Sequence, residues 1–292
     1  MRVDRPYRGM RATLLLALGW VALEGRAWAE EGCPAAQRVE VDLEAWAKRA
    51  RKVKTAAAFD KVLAALGWAP DTDEDSACEP RGLQKAKVDL FPARLRDGEE
   101  GRVVQVLAVR CPESDGAWQV QRGAAFLPLG KDRWCRVAMP FLDRSGSGWG
   151  PQLCEPARFA FQALTSPKRV AVKLIDTQGW CGSSGSDRGN EVTTSFWEVQ
   201  GWRFAPLLSA TTFKAIYHSP TPPIETLTAT LRPRGAFPKV IDWRERIQCD
   251  DPGEEERRAN PRLQEDFADC HPRVTHRRCQ YEGGKYTCTA RK

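Results

Sequence analysis

CQYEGGKYTC (279–288) is the stretch whose reading decides the fold. Folded about Gly283-Gly284 it makes a two-residue hairpin, because the favoured tight turns need positive φ and glycine adopts it freely. Glu282 then faces Lys285, Tyr281 faces Tyr286, Gln280 faces Thr287 and Cys279 faces Cys288. Cys279, Tyr281, Tyr286 and Cys288 share one face, while Gln280, Glu282, Lys285 and Thr287 share the other. That is the period-two sorting of a half-buried strand pair. The two cysteines fall on a non-hydrogen-bonded pair, where Cα atoms stand about 4.5 Å apart. A disulfide can close over that distance, so a Cys279–Cys288 bridge is expected.

Two other stretches have the same form. WEVQGWRF (197–204), turned at Gln200-Gly201, would pair Val199 with Trp202, Glu198 with Arg203 and Trp197 with Phe204. LPLGKDRW (127–134) is a looser version with a longer loop. No fixed period links them, which argues against a propeller or solenoid.

A disulfide implies an oxidising compartment, and the start of the chain agrees. Arg2, Arg5, Arg8 and Arg11 precede an apolar run, ATLLLALGWVAL (12–23), and Ala27-Trp28-Ala29 has the form of a cleavage site. Residues 1–29 are expected to be a signal peptide, and the mature chain to be periplasmic or extracellular. Cys33 follows Glu-Glu-Gly, not the small and aliphatic residues that precede a lipid-modified cysteine. No later run is apolar enough to span a bilayer as a helix, so no stable membrane insertion is expected. All ten cysteines lie beyond residue 29. An even number in an exported chain reads as a disulfide framework. The simplest pairing is sequential: 33–78, 111–135, 154–181, 249–270 and 279–288.

The first 29 residues hold five arginines against Asp4 and Glu24, so the net +7 of the whole chain falls to +4 without them. A nucleic-acid partner would require a basic stripe. In linear order the basic residues are interleaved with acids, and no nucleic-acid role is expected.

Residues 39–69 repeat apolar positions at threes and fours (Val39, Leu43, Trp46, Ala50, Val53, then Phe59, Val62, Leu63, Leu66), with Thr55 placed to cap a second helix. A short helical hairpin and an acidic linker, DTDEDSAC (71–78), fill residues 30–82. Asp71, Asp73 and Asp75 partly mimic a calcium loop, but Ser76 and Gly82 stand where glycine and glutamate are needed. From residue 83 onward strand patterns dominate: 103–111, 117–123, 158–164, 169–175, 193–199, 202–208, 212–218, 224–231 and 239–247. Residues 250–272 form a charged excursion with a helical turn or two. The expected class is mainly β, an antiparallel sandwich or curled sheet over 83–292, stapled by disulfides.

Catalytic signatures are few. TQGWCGSSGSD (177–187) resembles the run around the nucleophile of papain-like proteases at Gln178, Gly179, Cys181, Gly182 and Ser183. It departs where it matters, with Ser184 at the nucleophile and Gly185 in place of tryptophan. No G-x-S-x-G, phosphate loop, dinucleotide fingerprint or H-E-x-x-H occurs. Cys270, His271, His276 and Cys279 have zinc-ligand chemistry, but oxidation of the cysteines competes, and no metal or cofactor is expected. Trp149 and Trp180 lie in Gly/Ser-rich loops, where aromatics stack on sugars or peptides. They are the candidate ligand contacts. The function expected is non-enzymatic binding of a polysaccharide or an envelope protein. A secreted hydrolase using a carboxylate pair, and a purely structural module, are the alternatives.

Overall fold

A computed structural model describes residues 32–69, 83–110, 118–146, 156–179, 187–218 and 225–291. Residues 1–29, expected to be a signal peptide, the acidic linker with its calcium-like carboxylates, and the loops carrying Trp149 and Trp180 lie outside the described residues. The expected class is the one observed: two antiparallel sheets with a few short helices. The first sheet holds β1 (Arg38–Glu40), β2 (Leu83–Arg96), β3 (Glu99–Arg110), β4 (Trp118–Gly130), β5 (Arg133–Ala138) and β6 (Arg144–Gly146), in the order β1-β5-β4-β3-β2 with β6 beside β4. The second holds β7 (Arg158–Gln162), β8 (Ala171–Gly179), β9 (Asp187–Gln200), β10 (Arg203–His218), β11 (Glu225–Arg234), β12 (Val240–Cys249), β13 (Arg273–Glu282) and β14 (Lys285–Ala290), each beside its neighbour in sequence.

Alternation gives the first sheet two buried faces. On one, Val88, Val104, Val106 and Phe126 meet Leu43, Trp46, Phe59 and Leu63 of two helices, α1 (Leu43–Ala50) and α2 (Ala56–Ala64). On the other, Val103, Ala125, Leu127 and Val137 meet Val172, Leu174, Val199 and Phe204 of the second sheet. Asp42 caps α1 by accepting from the Ala45 amide at 2.9 Å, and Thr55 caps α2 as its sequence position suggests. Val39, expected to start the first helix, instead pairs with Trp134 in β1. Gly123 is required by packing, since a Cβ there would sit 2.7 Å from Leu142. Gln121, fully buried, holds the backbone of Ala157 like a strand partner, accepting from its amide at 3.0 Å and donating to its carbonyl at 2.9 Å.

The strands at 202–208 and 212–218 form one strand, β10, interrupted by bulges near Leu207 and Thr212. The turn of the β9–β10 hairpin falls at Gly201-Trp202, with Gly201 at φ +62°, one residue later than expected. The shift places Ala205, not Arg203, opposite Glu198. Glu198 is completely buried, accepts from the Thr165 hydroxyl, and has Arg169 Nη2 3.1 Å from its Oε2. Sequential cysteine pairing fails at the N-terminal end. Cys33 bridges Cys135, because β1 pairs Arg38 with Cys135 and draws the preceding segment onto β5. Cys78–Cys33 and Cys111–Cys135 are thereby excluded. Cys249–Cys270 and Cys279–Cys288 are formed as expected.

The C-terminal hairpin keeps the register read from its sequence, Glu282 with Lys285 through Cys279 with Cys288, and both turn glycines have positive φ. The cysteine Cα atoms are 3.9 Å apart. The second sheet rolls up, so that the hairpin returns toward β9 and β10: Gln200 Nε2 donates to Gly284 O at 3.2 Å. Leu164, Phe196, Leu207, Leu208, Ile241, Cys279 and Tyr286 fill the roll. Two short helices, α3 (Glu254–Ala259) and α4 (Pro261–Asp269), make up the charged excursion. Leu263 of α4 packs on Ile247, beside the Cys249–Cys270 bridge.

Two predictions follow from the polar groups in the roll. Arg169→Ala strands a buried carboxylate and should cost about 3–5 kcal/mol, whereas Glu198→Gln lets Arg169 turn to water and should cost less. Urea denaturation checks this, and equal losses would contradict the buried charge as the controlling factor. Burial pushes the Tyr286 hydroxyl up to about 12, with Glu198 and Tyr281 adding to the rise. The folded state therefore favours the neutral phenol. That preference contributes fully below the ordinary tyrosine value of 10.0 and is lost as the pH climbs toward about 12. Tyr286→Phe loses the 2.8 Å hydrogen bond to Lys239 O, worth about 1 kcal/mol. The stability advantage of the wild type over this variant should shrink from pH 10 to pH 12; an advantage that stays constant would refute the assignment.

Candidate anion-binding face

Strand parity sorts the last four strands by chemistry. On β12 the inward positions are Ile241, Trp243, Glu245 and Ile247, and the outward ones are Asp242, Arg244 and Arg246. On β11 Thr228, Thr230, Arg232 and Arg234 are exposed, and on β13 Val274, His276 and Arg278. Registers align them in rows across the sheet. Thr230 faces Arg244, Arg244 faces His276, and the Arg291 amide donates to His276 O at 2.8 Å, which extends the row. The next row runs Arg232, Asp242, Arg278 and Thr289, and the row on the other side Thr228, Arg246 and Val274. Residues directly opposite in such rows stand about 4.5–5.5 Å apart.

The result is a groove of about 480 Å³, lined by Arg232, Arg234, Arg244, Arg246 and Arg291 with His276, Asp242, Thr228 and Thr230. Five arginines stand against one carboxylate. Asp242 pairs with Arg234, Nε to Oδ2 at 3.5 Å. Among the described residues, Arg232, Arg244, Arg246 and Arg291 have no ion-pair partner. Like charges this close on one sheet face oppose folding, and a local conflict of that kind is commonly the mark of a functional surface. Guanidinium groups grip carboxylate, sulfate and phosphate oxygens through paired N–H donors, and the threonine hydroxyls add donors and acceptors.

This face went unread because the basic residues were judged in linear order. In RER (244–246) the acid lies between two arginines, but Glu245 points inward and is buried while both arginines point out. Counting charge on alternate residues would have found the stripe. The described tryptophans are structural: Trp134 donates to Val41 O at 3.0 Å, Trp197 stacks on Phe141 at 4.6 Å between centroids, and Trp243 lies under Arg277 at 4.5 Å. The Cys270/His271/His276/Cys279 set does not converge. Both cysteines are in disulfides, and Cys279 faces inward while His276 faces outward. Among the described residues no helix is long and apolar enough to cross a membrane.

Comparison with family models, with curated proteins and with solved structures finds no match.

Arg244→Glu and Arg246→Glu place their new carboxylates on exposed positions among arginines. Each should leave thermal stability within about 0.5 kcal/mol of wild type or raise it. A loss of more than about 2 kcal/mol would show these arginines to be part of the fold's support instead of a solvent-facing surface.

Proposed function

We propose that this is an exported, non-enzymatic protein that holds an anionic polysaccharide of the cell envelope or its surroundings on the outer face of β11–β13. The observation that carries this reading is the cluster of arginines, without ion-pair partners among the described residues, on a concave, threonine-edged face. Its supports are physical. Arginine suits carboxylate and sulfate oxygens, and neighbouring hydroxyls suit sugar hydroxyls. The described residues that line the groove include no Phe, Tyr or Trp, whereas proteins that hold single-stranded nucleic acid use aromatic stacking platforms. The disulfides and the signal-like N-terminus favour an oxidising, extracytoplasmic setting, where acidic polysaccharides are among the polyanions a protein meets.

Fluorescently labelled polygalacturonate, followed by anisotropy, tests the reading. Wild-type protein should bind it, and binding should weaken steadily with added salt as ion pairs are screened. Arg244→Glu with Arg246→Glu should weaken binding by about tenfold or more, the scale of one or two charged hydrogen bonds, while Trp149→Ala and Trp180→Ala bind as wild type. Loss of binding in the tryptophan variants alone would move the site to the loops. Release of reducing ends in the same tubes would favour the carboxylate hydrolase instead.

A further inference from the structure

Among the described residues that line the groove, Asp242 is the one carboxylate. It lies between Arg232 on β11 and Arg278 on β13 in its own row, and Arg234 reaches it from the end of β11. Arg244 and Arg246 follow on the same strand at successive outward positions. Arg234 pairs with the Asp242 carboxylate at 3.5 Å; the carboxylate can accept hydrogen bonds, and its charge weakens the attraction of the surrounding guanidinium groups for an anion. The outward face therefore has two zones. One, around Arg244, Arg246, His276 and Arg291, is cationic. The other, around Asp242, offers a fixed acceptor flanked by guanidinium donors, the complement of a neutral group rich in hydroxyls.

We propose that Asp242 is a specificity-determining residue, and that it selects polysaccharides whose anionic groups are separated by neutral, hydroxyl-bearing sugars over chains charged at every unit. This rests on the reading of the groove as an anion site. A uniformly charged chain laid along β12 must bring an anion onto Asp242. Successive outward positions on a strand are about 6.6 Å apart, so such a chain cannot satisfy Arg244 and Arg246 without crowding the carboxylate. An alternating chain can place a hydroxyl at Asp242 and its anion on Arg244. Specificity by repulsion of the wrong ligand is a general device.

Hyaluronate, with one carboxylate per two sugars, is the alternating probe, and polygalacturonate and polyphosphate are the uniform ones. Wild-type protein should bind hyaluronate more tightly per charge than either. Asp242→Asn, with its melting temperature measured alongside, should bind the uniform chains about fourfold more tightly, the effect of removing one like charge at about 5 Å in water. It should bind hyaluronate less tightly, through the weakened acceptor. Tighter binding of polyphosphate or of single-stranded nucleic acid by the wild type would overturn the proposal. So would an Asp242→Asn variant that shifts all three probes in the same direction, as a merely structural carboxylate would. Insensitivity of every probe to Arg244→Glu would instead bring down the anion-site reading on which the proposal stands.

Discussion

Period-two alternation in β11–β14, fixed in one register, is the constraint on which the rest of the structure depends. The inward slots of these strands take Leu231, Ile241, Trp243, Cys279, Tyr281, Tyr286 and Cys288, which line the roll of the second sheet. The outward slots take the arginines and threonines of the groove. A slip of one residue between any two strands would turn arginines into the roll and tyrosines to water. The Gly283-Gly284 turn and the Cys279–Cys288 bridge hold the last pair against such a slip. Core and candidate binding surface are thus two faces of the same residues.

Closure of the roll depends on polar contacts as well as apolar ones. Gln200 reaches Gly284, Tyr286 reaches Lys239 O, and the Lys239 amide reaches Leu164 O at 2.8 Å. Glu198 sits behind them with Thr165 and Arg169. Buried groups of this kind cost free energy unless each finds its partner, so they favour one closed arrangement over looser ones. The open edge of the first sheet is guarded in a similar way. On β2, the Arg51 side chain donates to Val88 O at 2.9 Å and the Val170 amide donates to Arg94 O at 2.8 Å, which occupies acceptors that another strand could otherwise pair with.

Much of the fold was legible in the sequence because local signals carry it. The C-terminal hairpin, the Thr55 cap and the long apolar strands were read from parity and turn chemistry alone. What was missed depends on three-dimensional neighbours. β2 carries Pro92 and several basic residues, which a central strand would not tolerate, but it is an edge strand. Cys33–Cys135 spans 102 residues and follows from the pairing of β1 with β5, which no spacing rule announces. The β9–β10 turn lies one residue from its expected place, so Ala205 instead of Arg203 faces Glu198, and Glu198 is buried because its face of β9, shared with Phe196, lines the roll. The arginine face was present in the sequence but hidden by linear counting, since Glu245, buried between the outward Arg244 and Arg246, looks like compensation until the faces are separated.

The most direct test of the account is residue-by-residue protection of arginines. Phenylglyoxal modification of the protein with its disulfides formed, quantified by mass spectrometry with and without saturating hyaluronate, reports which guanidinium groups the polymer covers. Arg232, Arg244, Arg246 and Arg291 should be protected together, with Arg38 and Arg203 on other strands reacting equally in both samples. Protection spread evenly over the arginines, or confined to residues outside β11–β14 and the C-terminal segment, would contradict it.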